Sequence, residues 1–304
     1  MEIYALGCQK QKGWDDQMIK GYTLNETIEL MKKFNIKPSK GLGQNFLVDK
    51  NILGKIVDAA EIGKDDQVLE IGPGIGTMIR ELADRAGRVI AVEIDGRLIA
   101  VLEHTVKPLK NVSVINGDIL ALDLKALWSE CFTGDVTVVA NLPYYVTSPI
   151  IMKLLEEELP LRRMVIMVQK EVARRMSAGP GGKEYGALSI AVQYRSRPSI
   201  IAEVPPSVFI PPPRVSSAIV RLDVSKEKRY PVKDEKLLFQ LVKAAFGQRR
   251  KTLINALDSG FKHFSRDIID ESLTYCGIDP RRRGETLSIE EFCCLADYMY
   301  EKKM

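Results

Sequence analysis

A short apolar segment that runs directly into glycines is the feature that most constrains this chain. Residues 67–71 (QVLEI) have the pattern of a buried strand, and GPGIG at 72–76 leads from them into a predicted helix over 77–85. Glycines at such a turn let the backbone bend tightly and approach a ligand without an intervening Cβ. The segment therefore predicts an open α/β sheet with a ligand site at the carboxyl ends of its strands.

Three further predicted strands end in polar side chains. They are Glu93 in strand 88–94, Asp118 after strand 112–116, and Asn141 after strand 136–140. An acid about 20 residues after a glycine loop is placed to accept ribose hydroxyls. Asp118 is placed to accept from an exocyclic amino group such as that of adenine. Either acid alone is better explained as a helix cap, but their succession at strand ends predicts a nucleoside site.

The spacing of the glycines bears on which nucleoside is bound. Gly76 falls one residue short of the GxGxxG pattern of dinucleotide sites, and Glu70 would place negative charge where a pyrophosphate lies. S-adenosylmethionine, with its ammonium, sulfonium, ribose and adenine groups, fits these residues better. The predicted contacts are Glu70, Gly72, Gly74, Glu93, Asp118 and Asn141. An NAD-dependent oxidoreductase is the alternative that this reasoning disfavours.

The turn NLPYY at 141–145 places an amide beside an aromatic ring, a combination suited to holding a planar amino-bearing base. We expect Asn141 and Tyr144 to do so. Two other segments leave alternatives open. Phe209, within a proline-rich connection, is either a core residue or a second aromatic wall. Residues 37–49 form either a surface loop or a cover over the ligand through Gln44, Asn45 and Leu47.

Composition sets broader limits. The chain has 304 residues, 45% hydrophobic and 28% charged, which suits one α/β domain with a smaller companion. Its five cysteines show no CxxC spacing, so we expect neither a zinc site nor disulfides, and we interpret Cys293 and Cys294 as packing thiols. The sequence contains no apolar run long enough to span a membrane and no signal sequence, so we expect a cytoplasmic protein.

We predict three regions: an extension (1–36) that is flexible up to residue 21 and then contains a short helix over 24–33, a catalytic domain (37–224) and a helical domain (225–304). Further helices are predicted at 51–60, 150–157 and 170–176, further strands at 164–169, 187–194 and 217–223, and a mobile loop at 179–186. The helical domain carries two basic clusters: Arg249, Arg250 and Lys251, and Arg281, Arg282 and Arg283. Such clusters are often solvated surface, but two on an appended domain favour RNA phosphate contact.

Several motifs occur together in a characteristic order: QNFLVD (44–49), EIGPGIG (70–76), VEID (92–95), GD (117–118), NLPYY (141–145), FIPPPRVSSAIVRL (209–222) and AFGQRRKTLINAL (245–257). From residue 37 onward the chain closely resembles the KsgA-type (RsmA) small-subunit ribosomal RNA adenine dimethyltransferases. The earlier motifs are shared with Erm methyltransferases of large-subunit rRNA, whereas the later ones and RRRGETLSIEEF (281–292) resemble the KsgA branch. The family often has Lys and Asp where this chain has Arg214 and Ser216.

The resemblance implies a Rossmann-like S-adenosylmethionine-dependent methyltransferase sheet with a small C-terminal helical domain. It implies that two methyl groups are transferred to N6 of each of two adjacent adenines near the 3′ end of 16S rRNA, within the immature small subunit. Asn45, Leu47, Gly72, Glu93, Asp118 and Asn141 would then contact the cofactor, and Tyr144 and Phe209 the base. The side-chain oxygen of Asn141 and the carbonyl of Leu142 would accept the amine hydrogens.

We expect a monomer that needs neither a metal nor a membrane. Two other functions remain as alternatives: an Erm-like methyltransferase of large-subunit rRNA, and a non-catalytic ribosome assembly factor.

Overall fold

A computed structural model of the protein describes residues 3–4, 23–227, 229–261 and 264–303. They group into two compact units. The first contains the chain up to Ala173 together with Ser199–Val224, and the second contains Arg174–Pro198 together with the chain from Ser225 onward. Residues 174–198 thus group with the C-terminal helices, whereas the sequence suggested one boundary after residue 224. Helix 24–33 lies in the same unit as the sheet.

An eight-stranded sheet forms the centre of the first unit, and two further strands form a separate pair. The strands are β1 (Ile3–Tyr4), β2 (Phe46–Leu47), β3 (Gln67–Ile71), β4 (Arg88–Glu93), β5 (Val112–Asn116), β6 (Val136–Asn141), β7 (Leu161–Gln169), β8 (Ser196–Val204), β9 (Phe209–Ile210) and β10 (Ser217–Val224). The order in the sheet is β1-β5-β4-β3-β6-β7-β10-β8, and β2 pairs with β9. The five strands from β5 to β7 are parallel, and β10 pairs antiparallel with β7.

The order of these strands determines where a ligand can bind. The first strand of the parallel set, β3, lies between β4 and β6, so the chain winds outward from it in both directions. Ile71 pairs with Val92 on one side and with Ala140 on the other, which aligns the carboxyl ends of the three strands. A crevice opens at such a switch point in doubly wound sheets. The buried apolar runs of β3, β4 and β6 explain why these segments occupy the centre of the sheet.

Helices cover the sheet and make up the second unit. They are α1 (Leu24–Lys33), α2 (Lys50–Ala60), α3 (Ile79–Arg85), α4 (Gly96–Val106), α5 (Leu124–Cys131), α6 (Thr147–Glu156), α7 (Lys170–Ser177), α8 (Ala187–Arg195), α9 (Glu235–Gly247), α10 (Leu253–Gly260), α11 (Arg266–Tyr275) and α12 (Ile289–Lys303). Helix α1 begins with a capping box between Thr23 and Glu26, and its Leu30 packs with Phe46 and Ile75. As expected, it packs on the unit that contains the sheet.

The structure corrects two secondary-structure predictions. The predicted strand at 187–194 is helix α8, and the strand that follows it, β8, was not predicted. Ile190, Ala191, Val192 and Tyr194 are all buried, so α8 lacks the one-sided apolar period that distinguishes a helix from a buried strand. Strand β8 contains a proline and exposes Ile200 and Ile201, which removes the alternation expected of a strand.

The cysteine prediction is also wrong in part. Cys276, at the end of α11, and Cys294, within α12, form a disulfide across a sequence separation of 18. The two helices bring these residues together, and no spacing motif marks the pair in the sequence. Cys131 and Cys293 are buried free thiols, in agreement with a packing role for Cys293. Cys8 lies outside the described residues.

The N-terminal extension departs from its prediction at one point. Ile3 and Tyr4 pair antiparallel with Ile115 and Val114 of β5, although this part was expected to be flexible. The rest of the segment before Thr23 lies outside the described residues. In the described part of the chain, no helix combines the length and apolar character that crossing a membrane requires.

Candidate active site

A cavity of about 250 Å³ opens at the carboxyl ends of β3, β4 and β6. The residues predicted for cofactor and base all line it. They are Gln44, Asn45, Leu47, Glu70, Gly72, Gly74, Glu93, Asp118, Asn141, Leu142, Tyr144 and Phe209. All of them belong to the first unit. The fold therefore brings together motifs that are as many as 165 positions apart, between Gln44 and Phe209.

The glycine loop after β3 has a backbone that only glycine adopts readily. Gly72, Gly74 and Gly76 have φ angles of 68°, 62° and 88°. A Cβ on Gly76 would lie 2.8 Å from Thr105 Oγ1, and one on Gly74 would lie 3.1 Å from the Phe46 ring. Gly72 N–H donates to Val92 O at 2.9 Å, which ties the turn to β4. These constraints keep the loop close to the cavity with no side chain projecting from its glycines.

Glu93 ends β4 as a buried carboxyl that already has two backbone donors. Its Oε2 accepts from Gly74 N–H at 3.0 Å, and its Oε1 accepts from Asp95 N–H at 2.9 Å. Burial raises the pKa of Glu93 to about 7, although the backbone hydrogen bonds oppose that shift. Each oxygen keeps a further lone pair, so the group can accept hydrogen bonds from a vicinal diol.

Glu70, one residue before the end of β3, is fully buried and lines the same cavity. Neither of its carboxyl oxygens has a hydrogen-bond partner among the described residues. Burial raises the pKa of Glu70 well above its usual range, and the nearby Glu93 adds to the shift. Since an orphaned buried carboxyl is costly, a ligand that forms a hydrogen bond with Glu70 would relieve that cost.

The loop before β2 is fastened to the cavity by hydrogen bonds. Gln44 Nε2 donates to Asp95 Oδ2 at 2.8 Å, while Gln44 Oε1 accepts from Ser39 N–H at 2.8 Å. Leu47 is buried in β2 and pairs with Phe209 of β9. The structure therefore shows a cavity wall where the sequence left a choice between a surface loop and a cover. Both ends of the Gln44 amide are engaged within the protein.

Asn141 ends β6 with an oriented amide. Its Nδ2 donates to Asn45 O at 3.1 Å, which leaves Oδ1 as the free acceptor among the described residues. Leu142 is buried, and Tyr144 lies half-buried in the turn, with its hydroxyl 2.7 Å from Ser217 Oγ. Tyr145 is 59% exposed.

Phe209 is a core residue, as one of its two interpretations expected, and it lies at the cavity, where the other interpretation requires it. It belongs to the large core cluster of the first unit, and it also lines the cavity. Pairing with Leu47 holds its backbone in place.

Two residues that contact the side chains lining the cavity were not identified from the sequence. Asp95 accepts from Gln44 and donates its N–H to Glu93, and it also forms a bidentate ion pair with Arg97. Ser217 contacts Tyr144. Asp95 lies in the VEID motif and its position was visible there, whereas no local signal marks Ser217. No group of three possible metal ligands occurs in the described ranges.

The basic residues of the two clusters in the second unit differ in how they are bonded within that unit. Arg249 donates to Lys183 O and Glu285, and Arg282 forms a two-pronged ion pair with Glu291, so both guanidinium groups serve the unit itself. Like Arg249, the other four are exposed to solvent: Arg250, Lys251, Arg281 and Arg283. The structure thus leaves four of the six predicted cations open to a partner, although Arg281 also pairs with Asp279.

Comparison with known proteins identifies the family. A model of the ribosomal RNA adenine dimethylase family matches residues 34–301. The chain belongs to that family. It is 54% identical over 272 residues to the ribosomal RNA small subunit methyltransferase A of Alkaliphilus metalliredigens, covering 89% of this chain and 95% of the relative. The protein of the same name from Bacillus mycoides is 50% identical over 286 residues, with 93% and 98% covered.

Solved structures agree with this placement in the family. A dimethyladenosine transferase from Plasmodium falciparum superposes with a TM-score of 0.72 at 28% identity, covering 85% of this chain and 98% of that one. The 23S rRNA methyltransferase ErmE superposes at 0.66 and 26% identity, covering 84% and 100%. The predicted Rossmann-like methyltransferase fold, the family resemblance and the enzyme class, an rRNA adenine dimethyltransferase, are confirmed.

Proposed function

We propose that this enzyme uses S-adenosylmethionine to dimethylate N6 of two adjacent adenines near the 3′ end of 16S rRNA in the immature small subunit. One observation carries the proposal. The free Asn141 oxygen and the Tyr144 ring share a cavity with an acid-lined nucleoside site, in a chain of the adenine dimethylase family. The relatives named as small-subunit methyltransferases support the choice of subunit.

The residues of the cavity fit the proposed cofactor. Glu93 would accept the ribose hydroxyls, and Asp118 the adenine amino group. The unpartnered carboxyl of Glu70 fits the cationic part of the methionine moiety, directly or through water. The backbone at Gly72 and Gly74 lets a ligand approach without steric conflict. When bound, S-adenosylmethionine supplies an electrophilic methyl group on its sulfonium.

The protein's contribution to catalysis is orientation and charge stabilisation. The lone pair of adenine N6 is delocalised into the ring, so the amine is a poor nucleophile. Asn141 Oδ1 and the Leu142 carbonyl would accept its two hydrogens and hold the lone pair out of conjugation. The same oxygens stabilise the positive charge that develops on N6. The proton can leave to water after transfer, so no strong general base is needed.

The base must leave its stack before it can reach Asn141. An adenine in a loop or flipped from a helix would be held against the faces of Tyr144 and Phe209. Arg250, Lys251, Arg281 and Arg283 would contact the RNA backbone, because all four are exposed to solvent. Arg249 is also exposed, but its guanidinium, like that of Arg282, is held in an ion pair within the helical unit. The proposal keeps a catalytic part over 37–224 and an RNA-binding part over 225–304, although residues 174–198 group with the second part in the structure.

Two alternative functions differ from the proposed one, the first in its substrate and the second in lacking catalysis. The likeness to ErmE in fold favours large-subunit rRNA as a second candidate substrate. A non-catalytic assembly factor would not need an intact amide and ring beside a nucleoside cavity, and both are present here.

An Asn141→Ala variant tests the chemistry. We expect about a 100-fold loss of methyl transfer to small subunits, the scale found for losing one preorganised charge-stabilising group. RNA binding, measured by filter retention, should remain unchanged, because Asn141 belongs to the first unit and is not one of the basic residues of the second. Asn51→Ala is the matched control, since Asn51 is an exposed asparagine that does not line the cavity. Unchanged methylation by Asn141→Ala refutes the assigned role.

A further inference from the structure

We propose that Ser217 is a positioning residue for methyl transfer, because its hydroxyl anchors the far end of the Tyr144 ring. The two oxygens lie 2.7 Å apart, and either can be the donor. The proposal rests on the proposed function, in which Tyr144 holds the target adenine. It adds a residue outside the motif that contains Asn141 and Tyr144.

The topology explains how Ser217 reaches the active site. Strand β10 runs antiparallel to β7, and Ser217, its first residue, pairs with Gln169, the last residue of β7. The beginning of β10 therefore lies at the same edge of the sheet as the carboxyl ends of the parallel strands. On the neighbouring strand β6, Asn141 pairs with Met167 of β7. Ser217 is thus a rigid strand residue next to the cavity edge.

The buried position of Ser217 explains why its hydroxyl needs the bond to Tyr144. Ser217 is completely buried, and its contact with Tyr144 keeps its oxygen from being an orphaned buried group. Burial also raises the pKa of Tyr144, while the bond to Ser217 acts in the opposite direction, so the phenol stays neutral and able to share the bond. Among the described residues, no other side chain bonds to the Tyr144 hydroxyl.

The two aromatic walls of the proposed base site are held in different ways. Phe209 lies in β9, where pairing with Leu47 and 4% exposure hold it in place. Tyr144 lies in a turn, so backbone pairing does not set the direction of its ring. A hydrogen bond at the para oxygen restricts the torsion about the Cα–Cβ bond, which determines where the ring lies. Loss of that bond would let the ring turn away from a stacked base without changing the fold.

A double-mutant cycle tests the anchor. Tyr144→Phe and Ser217→Ala each remove the bond from one end, and each should slow single-turnover methylation of prebound small subunits about fivefold, the value of one ordinary hydrogen bond. The double variant should be no slower than either single variant, since the bond can be lost only once. Independent effects would instead multiply to about 25-fold. Ser216→Ala, at the neighbouring partly exposed serine, is the control and should keep the full rate.

Binding of S-adenosylhomocysteine and the thermal midpoint separate positioning from general damage. Binding should stay close to the wild-type value in both single variants. The thermal midpoint should stay close to wild type in Ser217→Ala, because the half-buried Tyr144 hydroxyl can bond to water instead, whereas Tyr144→Phe leaves the buried Ser217 hydroxyl without its partner and should lower the midpoint slightly. A full rate in Tyr144→Phe, or a multiplicative double variant, overturns the anchor. If wild-type enzyme transfers no methyl group to small subunits, the proposed function itself fails. Wild-type transfer with unaffected variants refutes only the role of Ser217.

Discussion

The raised pKa of Glu93 predicts that cofactor affinity depends on pH in a range where few other side chains titrate. The carboxyl titrates at about 7 in the free protein, because it is buried. Ribose hydroxyls donate to an ionised carboxylate better than to a protonated one. Binding should therefore favour the ionised form, lower the pKa of Glu93 and release a proton when the pH is below about 7.

The size of the effect follows from the fraction of enzyme in which Glu93 is ionised. If the ligand binds only that form, the apparent Kd equals the intrinsic Kd divided by the ionised fraction. With a pKa of about 7, binding at pH 6 should be about tenfold weaker than at pH 8. Isothermal titration calorimetry with S-adenosylhomocysteine measures this directly. Repeating it in two buffers of different ionisation enthalpy counts the released proton.

A Glu93→Gln variant is the control for this experiment. It removes the titrating group, so its affinity should be lower at pH 8 and nearly constant down to pH 6. Stability provides a weaker test with a defined sign. A carboxyl whose folded pKa is raised stabilises the fold fully below its unfolded pKa of about 4.5, and that contribution is lost as pH rises through about 7. A wild-type Kd that is constant from pH 8 to 6, or equal slopes in wild type and Glu93→Gln, would refute the reasoning.

Two further predictions concern stability. Gly76→Ala should destabilise the protein by about 1–3 kcal/mol in urea unfolding, because φ is 88° and the new Cβ meets Thr105. Gly54→Ala, in open space on helix α2, should stabilise it by about 0.5–1 kcal/mol, and equal effects would contradict this reading. The Cys276–Cys294 disulfide closes a short loop and should add roughly 3 kcal/mol to the helical unit. Reductant should lower the thermal midpoint of wild type but not of Cys276→Ser; an unchanged wild-type midpoint would show that the bond does not contribute.

The catalytic sheet could be predicted from the sequence because its signals are local. Strand β3, the glycine loop and the helix after it are contiguous, and Glu93, Asp118 and Asn141 each follow an apolar run. Parallel strands then place their carboxyl ends together by topology alone. Placing these three residues at one edge of the sheet required no knowledge of contacts between residues that are distant in the sequence.

The missed features depend on contacts between distant parts of the chain. Helix α8 is buried on most of its surface, so its sequence has no helical period to detect. Ser217 acquires its contact only because β10 runs antiparallel beside β7. The disulfide needs α11 and α12 to be adjacent, and the ion pairs of Arg249 and Arg282 depend on Glu285 and Glu291. These are properties of packing that residue type and spacing do not encode.

The position of the transferred methyl groups tests the central claim most directly. Purified enzyme would be given immature small subunits, separate large subunits and S-adenosylmethionine with a labelled methyl group, and the modified nucleotides would then be mapped. We predict label on N6 of two adjacent adenines near the 3′ end of 16S rRNA, two methyl groups on each, and none in the large subunit. Label in 23S rRNA, or no transfer to either subunit, would contradict the account.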